Sequence, residues 1–375
     1  MGKSALAAFT GSNATAVGSG AADAADGAAN LTAVGKDALG NCTSGNSNTA
    51  VGVGACLTVD GTQNVAMGHN SLNADCVSNN TGLGYNALAV YTGSNSVAVG
   101  SLAADAATSA SDLTAVGFAA ASALTEGLET TAIGAYSFST ATTNDHNVGV
   151  GVFSGWKTTG SRNTALGTRA AIYASSTDDC VAVGFHALSG TDVAAVTGNT
   201  NIAVGNYALD AATSAYNNVA IGHNALTSED VGKNNVAIGA YALEDQNDDD
   251  SHNVAVGYAA GYNLTTGTSS VYVGSLAGGL GTITGNNNVA IGKSSGYDLT
   301  SGYNNVLIGL DSGGNLTDNH DNIAIGKAAL DAAAAGEHSN IAIGTNALGT
   351  ENSNAVGCVA IGYEAALNLT SGTDS

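Results

Sequence analysis

The sequence predicts an all-β fold, a parallel β-solenoid (β-roll) of about 21 coils of 16–18 residues, running over residues 1–375 as a single repeat array. Three observations predict it. First, the pattern complete at Asn288-Val289-Ala290-Ile291-Gly292 returns from Gly18 to Gly362 in 21 copies, spaced 16 to 18 residues apart except for 21 between Gly184 and Gly205. Second, the residue three before each repeat glycine is Thr, Val or Ile in all 21 copies, and the residue just before it is Val, Ile, Leu or Met every time. Alternation with period two and β-branched enrichment mark a strand. Third, 52 Gly, no Pro and few aromatics describe small side chains and tight turns. Collagen is excluded because glycine does not recur every third residue.

Within the unit, the two flanking apolar positions share one strand face and are expected to fill the coil core. The residue between them is Ala in 17 copies, with Gly82, Gly149, Tyr272 and Leu307 as the exceptions. A solvent-facing strand face should be polar, so this Ala and Gly stripe is expected to pack against other chains. Ala50, Ala66, Ala220, Ala237, Ala290, Ala324 and Ala342 are its candidate interface residues, and a charge at Ala290 should break assembly. The alternative is a single-chain solenoid whose small residues face water.

Four before the glycine, Asn fills 13 of 21 copies. Coils stacked at about 4.8 Å would align Asn48, Asn64, Asn218, Asn235, Asn288, Asn305, Asn322 and Asn340 into amide ladders. Asn-rich turns without stacking are the competing account.

Beyond the glycine, the third residue is Ala or Ser in all 21 copies, and the fourth is often Leu, so a second short strand or turn should close the coil. In five copies the fourth is Gly (Gly155, Gly261, Gly278, Gly296, Gly313), and three of these carry Leu three residues later, at Leu264, Leu299 and Leu316. Turns such as Thr300-Ser301-Gly302 lead into the next Asn. The chain begins and stops within a unit without polar caps, which suggests a piece of a longer polypeptide or ends covered by other chains. Its coils should build a rod on the order of 100 Å long.

Thirty acidic against eight basic residues give a net charge of -22. Nucleic acid and anionic membrane surfaces are therefore disfavoured as partners. The acidity reads as a solvated surface, with divalent cations at Asp248-Asp249-Asp250 or at Asp318 with Asp321 as the sharper alternative; otherwise no cofactor is expected. There is no signal peptide and no run long enough for a spanning helix, so no membrane insertion is expected. Cys42, Cys56, Cys76, Cys180 and Cys358 lack zinc or redox spacing and read as small buried residues, Cys180 and Cys358 as substitutions in the Asn ladder.

No His pairing, phosphate loop or nucleophile motif points to catalysis. Some β-helices cleave polysaccharides with paired carboxylates, but the pattern breaks at 189–200, holding Asp192, and at 244–250 read as loop variation. Trp156, Tyr262 and Tyr297 share a place five after the glycine and are the candidate receptor contacts, as platforms for sugars or as cover for the core.

The units Asn235-Val236-Ala237-Ile238-Gly239-Ala240-Tyr241-Ala242-Leu243 and Asn340-Ile341-Ala342-Ile343-Gly344-Thr345-Asn346-Ala347-Leu348 resemble head repeats of trimeric autotransporter adhesins and similar arrays in phage tail-fibre proteins, over essentially the whole chain. The resemblance implies a left-handed β-roll, three chains around a common axis, and attachment to surfaces or host cells. Adhesin heads use a unit of about fourteen residues, so the longer unit here implies a longer outer turn. The sequence thus leads to a non-enzymatic, homotrimeric fibre segment, extracellular on a virion tail fibre or cell surface. Its expected partners are itself and a host or surface receptor, a glycan being one candidate class. A filament subunit stacking end to end is the alternative, and a polysaccharide-cleaving enzyme the third reading.

Overall fold

The structure, a computed structural model, describes residues 2–191, 195–249, 251–331, 336–349 and 356–369. Every element is a short strand, and no helix occurs among the described residues. Twenty-one strands run from Ala14–Val17 to Val359–Ile361, one for each repeat glycine, and they pair parallel as successive turns of a β-solenoid. The chain divides into two compact units, Met1–Ala182 and Val183–Ser375. The division falls beside the one long repeat interval, Gly184 to Gly205. Asp192 of the expected pattern break lies outside the described residues.

Register follows the repeat without slippage. Val219, Ala220 and Ile221 pair with Val236, Ala237 and Ile238, and Val289, Ala290 and Ile291 with Val306, Leu307 and Ile308. The strand ends at the repeat glycine for two reasons. Its φ, +133° at Gly292, belongs to glycine alone. A Cβ on Gly292 would also sit 2.3 Å from the carbonyl oxygen of Gly309, the equivalent residue one coil on.

Among the described residues no second strand follows. The chain instead turns through left-handed residues two and four after the glycine, such as Tyr241 and Leu243, and again five before it, such as Asn234. Each such non-glycine residue costs roughly 1 kcal/mol. Hydrogen bonds between coils offset it: Tyr241 N–H donates to His223 O at 2.9 Å and Leu243 N–H to Ala260 O at 3.0 Å.

The strand faces are the reverse of the sequence expectation. Ala50, Ala66, Ala220, Ala237, Ala290, Ala324 and Ala342 have no exposed surface within their own chain. They line the coil interior, so none is an interface residue. Val289 is half-buried and Ile291 exposed, and both point outward. The physical reason is volume. The interior is narrow, already holding the Ala or Ser three after the glycine and the Leu four after it, as at Ala242 and Leu243. Two rows of Val and Ile in addition would overfill it. A charge at Ala290 would accordingly break the coil before any contact between chains.

The exceptions in the Ala row confirm which side is inside. Tyr272 and Leu307 are both fully buried, and the coils on either side of each carry Gly where Leu usually stands. A Cβ would lie 2.4 Å from the Tyr272 ring at Gly278, 3.1 Å from it at Gly261, and 3.0 and 2.7 Å from Leu307 at Gly296 and Gly313. Phe138, buried in a Leu position, works in the opposite sense: Cβ atoms on Gly149 and Gly155 would come within 2.5 and 2.3 Å of its ring. All five cysteines are buried.

Candidate functional site

The outward strand face is the first functional feature. Ile202, Ile221, Ile238, Ile291 and Ile323 are each 37–38% exposed although coils cover them above and below. Neither flanking position carries a charge in any of the 21 copies, on a chain of net charge -22. Exposed apolar residues continue just past the glycine at Val53, Phe118 and Leu310. In the second unit the residue three before the glycine is Val or Ile throughout, from Ile202 to Val359, whereas Thr dominates in the first, as at Thr32, Thr49 and Thr114.

The Asn ladder is present, and its members Asn48, Asn64, Asn218, Asn235, Asn288, Asn305, Asn322 and Asn340 are fully buried. The mode of bonding differs from amide-to-amide stacking. Each side-chain oxygen accepts the main-chain N–H of the ladder residue one coil on: Asn48 from Asn64 at 2.9 Å, Asn218 from Asn235 at 2.9 Å, Asn288 from Asn305 at 3.0 Å, Asn340 from Cys358 at 3.0 Å. The side-chain nitrogens mainly donate to turn carbonyls, as Asn288 does to Gly302 O at 2.8 Å. Amide-to-amide bonds occur as additions, from Asn305 to Asn288 and Asn322 to Asn305. The ladder thus closes the polar core.

On the outer turn of the second unit, aromatic side chains one or two after the glycine make a continuous wall. His186 and Tyr207 stack at 5.6 Å, Tyr207 meets His223 at 6.2 Å, His223 meets Tyr241 at 5.5 Å and Tyr241 meets Tyr258 at 5.9 Å. Opposite this wall stand residues five or six after the glycine, and hollows open between the two rows. One, of about 340 Å³, is lined by Tyr207, Asp210, His223, Asn224 and Thr227. The next, about 440 Å³, is lined by Tyr241, Tyr258, Tyr262, Leu276 and Leu280. A third, about 400 Å³, shares Leu276 and adds Lys293, Tyr297, Asp311, Asn315 and Asp331. Together they draw on eight consecutive coils, those of Gly205 through Gly326.

Of the candidate receptor contacts, Tyr262 and Tyr297 both lie in this groove. Trp156 belongs to the first unit, in a separate cluster with Phe153 and Tyr173 where Lys157 Nζ sits 5.0 Å from the Trp156 ring and 4.8 Å from that of Tyr173. The aromatic wall itself went unread in the sequence. Its signal is an aromatic or His one or two after the glycine in five successive copies, from Gly184 to Gly257, a row divided between two residue types and two positions.

Groove carboxyls are perturbed. Burial pushes Asp210 up to about 6. Burial, then the charge of Asp311, raises Asp331 above its ordinary range. Glu244, by hydrogen bonding and charge, raises the Tyr262 phenol. Of the candidate cation positions, Asp321 accepts from Asn304 at 2.9 Å and lies 2.9 Å from His320 Nδ1, and Asp318 accepts from Gly336 N–H at 3.1 Å. Asp250 lies outside the described residues. Among the described residues no group of three or more His, Cys, Asp and Glu side chains is placed to hold a metal ion, and no helix is long and apolar enough to cross a membrane.

No family model matches the chain, and no curated protein matches it.

Proposed function

We propose that this protein is a non-enzymatic attachment-fibre segment, extracellular on a virion tail fibre or cell surface, that assembles with two further copies of itself through the outward Val/Ile face. The single observation carrying this reading is that face: apolar, uncharged, and repeated coil after coil on an otherwise strongly acidic molecule. At ~4.8 Å per coil and about 10 Å across a strand face, the second unit alone presents on the order of 500 Å². That equals the largest apolar patch of an ordinary monomer. The number three, and the attachment role, rest on the resemblance of the repeats to adhesin heads and tail fibres.

Solution mass tests assembly. The wild type should have the mass of three chains at micromolar concentration, and Ile238→Asp with Ile291→Asp should reduce it to one while leaving the strand signal in circular dichroism unchanged. A wild type with the mass of one chain would overturn the assembly. Release of reducing ends from polysaccharide by the wild type but not by Asp331→Asn would overturn the non-enzymatic part.

A further inference from the structure

We infer that the outer-turn groove of the second unit is a binding site for a neutral, linear polysaccharide lying along the stacking direction. Length argues for a polymer: the hollows follow one another over eight consecutive coils, and each coil advances ~4.8 Å, comparable with one sugar residue of an extended chain. Along the first two hollows one wall is aromatic, and Tyr258, 56% exposed, offers ring surface to the C–H face of a pyranose. The opposite side supplies hydroxyl-binding groups, namely Asp210, Asn315 and Asp331.

The charge of the lining selects among polymers. Asp210, Asp311 and Asp331 face it with Lys293 as the only Lys or Arg in the three hollows, so an anionic chain such as a polyuronate or nucleic acid would be repelled. An extended peptide would add itself through main-chain hydrogen bonds, but the wall's main chain is already used between coils: Leu276 N–H donates to Tyr258 O at 2.9 Å, and Asp311 N–H to Lys293 O at 3.0 Å. A neutral polyhydroxylated chain needs neither. It meets ring faces for stacking and carboxylates as hydroxyl acceptors.

This assignment deepens the attachment reading and rests on it for its biological sense, yet the two fail separately. The experiment is calorimetric titration of the full chain with neutral tri- and hexasaccharides of β-1,4-glucose, α-1,4-glucose, β-1,4-N-acetylglucosamine and α-1,6-mannose, beside oligogalacturonate and hexalysine. At least one neutral hexasaccharide should bind, more tightly than its trisaccharide. Tyr258→Ala should weaken it at least tenfold with strand signal and mass unchanged, and Tyr136→Ala, at an exposed ring of the first unit, should leave it at the wild-type value. Absence of neutral-sugar binding at millimolar concentration, equal binding by Tyr258→Ala, or tighter binding of oligogalacturonate or hexalysine would each overturn the site. Sugar binding by a protein with the mass of one chain would keep the groove and defeat the assembly, whereas three chains without sugar binding would do the reverse.

Discussion

If the Ala row lies inside the coil, residues 272 and 278 must be energetically coupled. Gly278 has φ +60°, and a Cβ there would fall 2.4 and 2.5 Å from Cδ1 and Cε1 of Tyr272. The backbone conformation alone is no bar, because Ala104, Ala121 and Leu226 occupy the same place in other coils with φ of 50–55°. Gly278→Ala should therefore cost about 1 kcal/mol for the left-handed backbone and a further 1–3 kcal/mol, roughly, for overpacking against the ring. Tyr272→Ala should cost about 3–5 kcal/mol through its cavity. In the double variant the new methyl enters the space the ring has left, so the total should fall short of the sum by roughly 1–3 kcal/mol. Stacked coils need not unfold together, so the assay is native-state hydrogen exchange of amides in residues 254–291 across the four proteins. Additivity within about 0.5 kcal/mol would refute the interior placement of Tyr272.

Three further outcomes are expected. Glu229 is fully buried, accepting from Gly232 N–H at 2.5 Å and Val231 N–H at 3.3 Å, and burial raises its carboxyl from 4.5 to about 7. A raised folded-state pKa makes its contribution complete below pH 4.5 and lost as pH rises through about 7, a swing of roughly 3 kcal/mol. Glu229→Gln should flatten exchange rates around it between pH 5 and 8, roughly the interval of that titration; an unchanged pH profile would sink the assignment. Asn288→Ala strands the buried Asn305 N–H and should cost about 2–4 kcal/mol, whereas Asn287→Ala on the exposed row, left-handed with φ +58°, should cost about 1 kcal/mol or less, compared by thermal unfolding; equal costs would refute the ladder. Gly292→Ala drives a Cβ to 2.3 Å from Gly309 O and should lower the melting midpoint more than Asn288→Ala does, a wild-type midpoint being the contrary result.

The repeat, its strand and its Asn position were legible because each depends on periodicity alone. Asn288 reads as a ladder residue from its recurrence, and it is one. The bonding of that ladder was not legible, since main-chain acceptance depends on how the turn at 302 approaches the side chain at 288. The groove was half legible. Tyr262 and Tyr297 stood out by following a glycine, but the wall of Tyr207, His223 and Tyr241 alternates between two neighbouring positions, and left-handed backbone at the second brings both onto one line.

The inverted strand face has a sharper cause. Period two separates two sets of side chains but does not say which set is inside, and here both sets are apolar. Hydrophobicity then favours Val and Ile for the core, whereas volume decides for Ala. The deciding signal was in the sequence, in the joint behaviour of two columns: Gly replaces Leu four after the glycine at Gly261 and Gly278 on either side of Tyr272, and at Gly296 and Gly313 on either side of Leu307. Residues on opposite faces of a strand have no reason to exchange volume with a neighbouring turn, whereas residues sharing one closed interior must, because a packed core holds its total volume nearly constant. The compensation therefore places Tyr272, Leu307 and the Ala row they interrupt inside. It leaves Val289 and Ile291 as the outward residues, the face through which we propose that copies of the chain assemble.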